Sequence, residues 1–372
     1  MIVWIVRFYV FAVRRSKYGL LIALFVLLGG VFGNTFAFMY FDDQTFGDSI
    51  WYSYISVTTI GYGDFSATSA EARIANFVFI GLVGLGSCSY LIGWTIDKIA
   101  TTAMNRRRGM STTTASGHVM IVNFPNELKV RQIINELRHD PEYKKSEFVV
   151  ITDRIDELPF DLPGVEFVKG SPIENETFEQ ARCCDAKAAF ILCTDYNDPQ
   201  SDALVSTTVG VIEGMCREVI TIAECLQRKH KHFFERLGCD AVVCASEIGI
   251  NLMVQELQDH GVTEVFNTIT SNVKTGGDTL FSCTVRKDTD GVVYYNDLAH
   301  AFVDQDGNLV SVKRRNEDFL HTNFPKGMMI ELGDVIVFTA ERRYSFAELI
   351  DFAKKYGKKA RAAFGTAEYM SS

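Results

Sequence analysis

The sequence predicts an α-helical membrane domain of two spans plus a re-entrant loop, fused to a doubly wound α/β domain and a small α+β lobe. Three observations predict it. The first hundred residues are dense in Phe, Leu, Ile, Val and Gly and nearly free of charge, whereas charges are spread through the rest. Inside that apolar part, a short aromatic stretch ending in Gly-x-Gly lies between two long apolar runs. From His118 onward, short apolar runs alternate with amphipathic helical patterns.

The chain has 372 residues and a formal net charge of -9. That length suggests two or three domains. The acidic balance and the lack of a basic stripe argue against a nucleic-acid partner, because phosphate contacts need clustered Lys and Arg. Of nine cysteines, eight lie between Cys183 and Cys283, and none forms a CxxC pair or a ligand-spaced His/Cys array. Scattered cysteines of this kind read as small apolar residues in a reducing compartment. The vicinal pair Cys183-Cys184 reads the same way, as buried thiols.

Tyr18 to Phe41 is apolar apart from Asn34 and Thr35, and Ile74 to Ile96 carries no formal charge. Each is long enough to cross a bilayer, which needs about 20 residues. Arg7, Arg14, Arg15 and Lys17 precede the first run, and Lys98 with Arg106 to Arg108 follow the second. The connection carries Asp42, Asp43, Asp48, Asp64 and Glu71 against Arg73 alone. The basic bias places both ends in the cytoplasm and the connection outside, and the expected location is the cell (inner) membrane. Met1 to Val13 reads as a short amphipathic helix along the inner interface. The expected division is 1–104 for the membrane domain, 105–116 for a basic and then Ser/Thr-rich linker, 117–260 for the α/β domain, 261–350 for the small lobe and 351–372 for a terminal helix and tail.

The connection, Gly47 to Thr59, is aromatic and apolar and too short to span. It predicts a short helix capped by Asp48. Irregular backbone follows at Ile60 to Gly63, and such backbone is tolerated at membrane depth only where it lines a pore or is buried in protein. The run Thr59-Ile60-Gly61-Tyr62-Gly63 resembles the selectivity filter of potassium channels. In that family, inward carbonyls of four such loops replace the water shell of K+. Alternating left- and right-handed backbone then explains Gly61 and Gly63. Ile60 stands where Val is commonest. Tyr62 is kept, where Asp would resemble non-selective cation channels. Gly81, Gly84 and Gly86 in the second span read equally as close helix packing or as a gating hinge.

In the aqueous part, HVMIV (118–122), FVVIT (148–152), VEFV (165–168), AAFILC (188–193), VITIA (219–223) and DAVVC (240–244) read as strands, separated by helices at 127–138, 202–215 and 248–258. This alternation implies a parallel, Rossmann-like sheet. The phrases GVEFVKGSP, FILCTD, VITIAEC and LGCDAVVCASEIGINLM resemble the RCK domain, the regulator of K+ conductance, and ELGDVIVFTAERR resembles its C-terminal lobe. The resemblance implies a potassium channel of the two-span prokaryotic type, similar to calcium-gated RCK channels. It implies a homotetramer whose RCK domains self-associate into a gating ring beneath a pore in the lipid bilayer. An internal start at Met104 or Met110 is one way to supply extra RCK units. Of the other classes considered, a tethered nucleotide-binding enzyme needs an intact phosphate loop, and a regulatory or nucleotide-sensing subunit of a potassium transport system would not need Thr59 to Gly63.

The gating ligand is open between a divalent cation such as Ca2+ and an adenine nucleotide. A dinucleotide site needs GxGxxG after the first strand, but Asn123, Pro125 and Leu128 stand there. Asp153 occupies the place of a ribose-binding acid and reads more simply as a surface or capping residue. Asp195 and Glu224 end adjacent strands, where ligands of such sheets gather. They read equally as polar strand ends and as two ligands of a hard cation. Asp198 and Asp202 are candidate additions to that site. His230 and His232 read as a solvated helix face.

Overall fold

The computed structural model describes residues 19–364 apart from 199, 274–278, 287–292, 304–306, 316–319 and 322–327. The expected helix at Met1 to Val13 and the end of the tail lie outside the described residues. The chain divides into two units at Arg107/Arg108.

In the first unit, α1 (Gly19–Phe41) is a span of 23 residues, which at 1.5 Å per residue is about 34 Å, enough for the hydrocarbon core. Its small-residue face packs closely. A Cβ on Gly30 would lie 2.8 Å from the Phe79 carbonyl oxygen, and one on Gly33 would lie 2.7 Å from the Phe79 ring. The short helix α2 (Phe46–Val57) follows. Its cap is Thr45, not Asp48: the Thr45 hydroxyl accepts from the Asp48 amide at 3.2 Å and donates to the Asp48 carboxylate at 2.7 Å. Asp48 sits in the first turn, where its charge still favours the helix dipole. The second span, α3 (Ala70–Arg107), is longer than the apolar run predicted and contains a π-helical segment at Phe77–Gly84. It continues past Ile96 because no Gly or Pro interrupts it between Gly93 and Gly109, which takes φ 67°. The linker therefore begins after Arg107, not at residue 105.

In the second unit the strands and helices run β1 (Val119–Val122), α4 (Glu127–His139), β2 (Phe148–Thr152), β3 (Val165–Lys169), α5 (Asn175–Gln180), β4 (Ala188–Ile191), α6 (Ser201–Met215), β5 (Ile220–Glu224), α7 (Lys231–Arg236) and β6 (Ala241–Val243). The sheet is parallel in the order β3-β2-β1-β4-β5-β6, so the order reverses between β1 and β4. Successive residues of a strand face opposite sides. Met120, Val122, Val149 and Ile151 accordingly enter one core, and Val119, Ile121, Phe148 and Val150 the other. Both faces are covered, which is why these strands read as continuous apolar runs. Strand β4 stops at Ile191, two residues short of expectation, because the Cys193 amide turns to the Glu224 carboxylate at 2.9 Å.

Helices α8 (Ala245–Gln258) and α9 (Val262–Thr270) lead to the small lobe. There β7 (Thr279–Thr284), β8 (Val293–Tyr294), α10 (Tyr295–Val303), β9 (Asn308–Lys313), β10 (Leu320–His321), β11 (Met329–Ile330), β12 (Val335–Ala340) and α11 (Phe346–Phe364) follow. The main sheet is antiparallel, β10-β9-β12-β7. Phe302 and Phe338, with ring centroids 4.9 Å apart, centre its core. Leu349, Ile350 and Ala353 are buried in that core, so α11 belongs to the lobe and crosses the expected boundary at 350. Arg343 of this lobe pairs with Asp140 of the α/β domain at 3.1 Å.

The cysteines depart from expectation at one place. Cys183 is buried, and burial pushes its thiol up to about 11. Cys184 instead forms a disulfide with Cys216, with the Cα atoms 5.2 Å apart. The turn at Cys183–Asp185 faces the C-cap of α6, a proximity that sequence spacing does not show.

Candidate functional site

The loop after α2 is held from both sides. Ser53 of α2 lies in a buried polar bridge to α1, accepting from Asn34 Nδ2 at 2.9 Å and from Thr35 Oγ1 at 3.1 Å, and itself donating to the Ser49 carbonyl at 2.9 Å. Phe38 and Tyr52 pack beside it with tilted rings, centroids 4.3 Å apart. These contacts fix the short helix against the first span. The chain then leaves the helix at its end, where the amides of Ile60 and Gly61 both donate to the Ile55 carbonyl, at 3.0 and 3.2 Å.

Thr59, Gly61 and Gly63 take positive φ, at 60°, 56° and 77°, while Ile60 and Tyr62 between them do not. Ordinary extended backbone points successive carbonyls to opposite sides. Alternating handedness turns them toward one side, which makes a file of oxygens. Nothing approaches a Cβ built on Gly61 or Gly63 within 4 Å, so conformation rather than space requires glycine there. Thr59 adopts the same region without glycine's freedom, a strained choice for a branched residue.

Two features that sequence reasoning missed brace this loop. The Trp51 indole donates to Asp64 Oδ2 at 2.8 Å, and its ring stacks on Tyr62 at 6.1 Å and 9°. Asp42, at the end of α1, accepts from the amides of Thr68 and Ser69 at 2.8 and 2.9 Å, which ties the loop's exit to its entry. The sequence signal for the first was only an aromatic on the short helix and an acid just after Gly63.

The glycines of α3 have different surroundings. A Cβ on Gly84 would lie 2.9 Å from the Val57 side chain and 3.2 Å from the Phe79 carbonyl. One on Gly81 would meet Phe77 at 3.6 Å, and one on Gly86 would meet nothing within 4 Å. Gly81 and Gly84 lie inside the π segment and Gly86 just beyond it.

In the α/β domain, the carboxyl ends of β1, β4 and β5 converge. Asn123 is buried with φ 72°, and its side chain donates to the Leu192 carbonyl at 2.8 Å. It laces β1 to β4 at the point where a phosphate loop would open. Asp153 is exposed just past the end of β2. Asp195 is exposed and accepts from the Asn197 amide at 2.8 Å, within a turn that also bonds Ser201. Glu224 is buried and fully engaged: it accepts from the Cys193 amide at 2.9 Å, from the Tyr196 hydroxyl at 2.7 Å and from Lys129 Nζ at 2.5 Å. Burial and the neighbouring carboxylate push the Tyr196 phenol above its ordinary value.

Asp202 is buried at the first turn of α6. It accepts from the Leu226 and Gln227 amides at 2.7 and 3.2 Å and pairs with His230 Nδ1 at 2.7 Å. His230 is therefore not simply solvated, as expected, but anchors the loop after β5, while His232 pairs with Glu235 at 3.0 Å. Asp198 is exposed and accepts from the Gln200 amide at 2.9 Å. Asp195 and Glu224 thus end neighbouring strands but have separate partners. Among the described residues, no group of three or more His, Cys, Asp or Glu is arranged to hold a metal ion.

Residues 21–101 match the family model described as an ion channel. Residues 114–219 match the model for the calcium-activated potassium channel slowpoke-like RCK domain. The chain is 23% identical over 215 residues to the putative potassium channel protein YugO of Bacillus subtilis, covering 57% of this chain and 63% of that one. It is 24% identical over 229 residues to the calcium-gated potassium channel TvoK of Thermoplasma volcanium, covering 60% of this chain and 64% of that one. The chain thus spans less than two thirds of these relatives' lengths. The solved GsuK channel overlaps it at 16% identity and TM-score 0.44, over 87% of this chain and 57% of that one. The chain thus joins a region similar to an ion channel to a region similar to an RCK domain, the order found in the two-span potassium channels that it resembles.

Proposed function

We propose that the chain is one subunit of a homotetrameric, potassium-selective channel whose opening is set by ligand binding to its RCK domains. The observation that carries this is the alternating backbone of Thr59 to Gly63, with positive φ at every second residue. One copy supplies one file of carbonyls. Four copies around an axis supply the ring of oxygens that replaces the hydration shell of K+. The membrane domain sits in the inner membrane, with both ends and the RCK domain in the cytoplasm.

Self-association of the RCK domains into a ring is supported by the apolar residues left exposed on α8 and α9. Ile248, Ile250, Met253, Leu257 and Val265 all face solvent in the single chain, and large exposed apolar patches mark protein interfaces. The ligand is a divalent cation such as Ca2+ or an adenine nucleotide, received where β1, β4 and β5 converge. The relative TvoK is calcium-gated by name. Asp195 and Glu224 are the acids offered to a cation, with Lys129 as the group it must displace. Asn123 and Asp153 are the residues offered to a nucleotide. In α3, Gly86 is the glycine freest to serve as a hinge, with Gly81 and Gly84 beside it.

Flux through the purified protein in liposomes tests the reading. Potassium should pass and sodium should not, and Tyr62→Asp should let both pass. No potassium-selective flux with Ca2+, Mg2+, ADP, ATP or NAD present would sink it.

A further inference from the structure

We propose that Cys184 and Cys216 form a reversible thiol–disulfide site, a point of oxidative modification in the RCK domain. The pair joins two elements far apart in sequence: the turn that leads into β4, and the C-cap of α6, 32 residues later. Their Cα separation of 5.2 Å lies inside the range that a disulfide spans without moving the backbone. The Met215 carbonyl oxygen lies 3.8 Å from Cys184 Sγ and offers an acceptor within reach of a reduced thiol.

The two sulfurs differ in access, and that difference assigns their roles. Cys184 is exposed and Cys216 is buried. An incoming reagent therefore meets Cys184, and Cys216 acts only from within. The adjacent Cys183 is buried, and burial pushes its thiol up to about 11, so it does not compete as a thiolate. Burial raises the Cys193 and Cys239 thiols as well.

The oxidant is a small-molecule disulfide, RS–SR. The Cys184 thiolate attacks one of its sulfurs, forming a mixed disulfide and expelling RS−. The Cys216 thiolate then attacks the Cys184 sulfur, closes the protein disulfide and expels the second RS−. The two protons lost by the cysteines go to the two leaving thiolates. Two protein thiols are oxidised by two electrons, and RS–SR is reduced to two RSH. Reduction is the reverse, beginning with attack of a thiolate on the exposed Cys184 sulfur and departure of Cys216. In the closed state the far end of α6 is tied to the start of β4. The near end of the same helix carries Ser201 and Asp202, which bond the loops after β4 and β5. The site thus acts on the helix that frames the proposed ligand region, but it stands whether or not the chain conducts.

The test uses full-length protein in detergent, equilibrated in glutathione buffers from fully reduced to fully oxidised. Free thiols are then blocked with N-ethylmaleimide and mapped by peptide mass spectrometry. The expected result is a Cys184–Cys216 link under oxidised buffer, both residues alkylated under reduced buffer, and one midpoint reached from either direction. In Cys216→Ser the resolving thiol is missing, so Cys184 should instead carry a single glutathione. Cys184 alkylated at every ratio would overturn the proposal. So would a link that survives fully reduced buffer until the protein is denatured. The wild-type titration decides the matter alone if the variant fails to fold.

Discussion

The Lys129 ammonium lies 2.5 Å from both carboxylate oxygens of Glu224, so the helix after β1 delivers a cation to the acid that ends β5. This ion pair fills the place where ligands of such sheets gather. It is half protected: the side-chain exposures are 23% for Lys129 and 7% for Glu224. Lys129→Met leaves the buried carboxylate with only its Cys193 and Tyr196 donors. That should destabilise the domain by about 1–3 kcal/mol, below the figure for a fully buried pair because Lys129 is part-exposed. Thermal unfolding would show it, and Glu224→Gln on top should restore most of the loss. Calorimetry gives the functional half. If Ca2+ uses Glu224, removing Lys129 tightens Ca2+ binding, and Asp195→Asn with Glu224→Gln abolishes it. Unchanged Ca2+ binding in that double variant would rule these acids out.

The Trp51–Asp64 bond should hold the outer loop in its conducting shape. Trp51→Phe and Asp64→Ala each delete the same hydrogen bond, so each should shorten the conducting lifetime in single-channel recordings. Because they share one interaction, the double variant should be no worse than the worse single. Additive effects would show that the bond is not what links them.

Gly84 and Gly86 separate packing from hinging. Gly84→Ala places a methyl 2.9 Å from Val57 and should weaken assembly of the membrane domain. Gly86→Ala meets nothing and should raise local helix stability by up to about 1 kcal/mol. If the second span bends there, that stiffening should lower open probability while leaving expression unchanged. Normal gating in Gly86→Ala would move the hinge elsewhere.

His118 makes stability fall with acid. It is fully buried at the start of β1. Burial holds its pKa below the ordinary 6.5, outweighing the Ala181 backbone and the Asp185 and Glu166 charges that oppose it, while Arg182 adds to the lowering. The unfolded chain therefore takes up a proton first. Above pH 6.5 this residue has no pH effect, and as pH falls below 6.5 the folded state loses stability relative to the unfolded one. Unfolding temperature measured from pH 7.5 to 5.5 should decline in the wild type and decline less in His118→Phe. Equal slopes would assign the acid sensitivity to other groups.

Much of the fold was legible because local rules agreed with the global one. FVVIT and VITIA read as strands since both faces of a parallel sheet are covered, and their alternate residues do feed two cores. The end of β4 was misread because Cys193 is apolar, while its amide is drawn to Glu224, 31 residues away. Thr45 was missed as a cap because Asp48 is an equally good capping type three residues on.

By itself, the sequence determined the two spans, the helix-then-loop between them, the glycines at 61 and 63, and the order of strands and helices. These follow from hydrophobic length, periodicity and backbone freedom, which are properties of neighbouring residues. Only the tertiary structure decided who meets whom: Trp51 with Asp64, Lys129 with Glu224, Asp202 with His230, Cys184 with Cys216. Each pair is brought together by the close of a loop or a crossover between strands. Contacts of that kind depend on where distant segments are placed in space, and no local pattern records them.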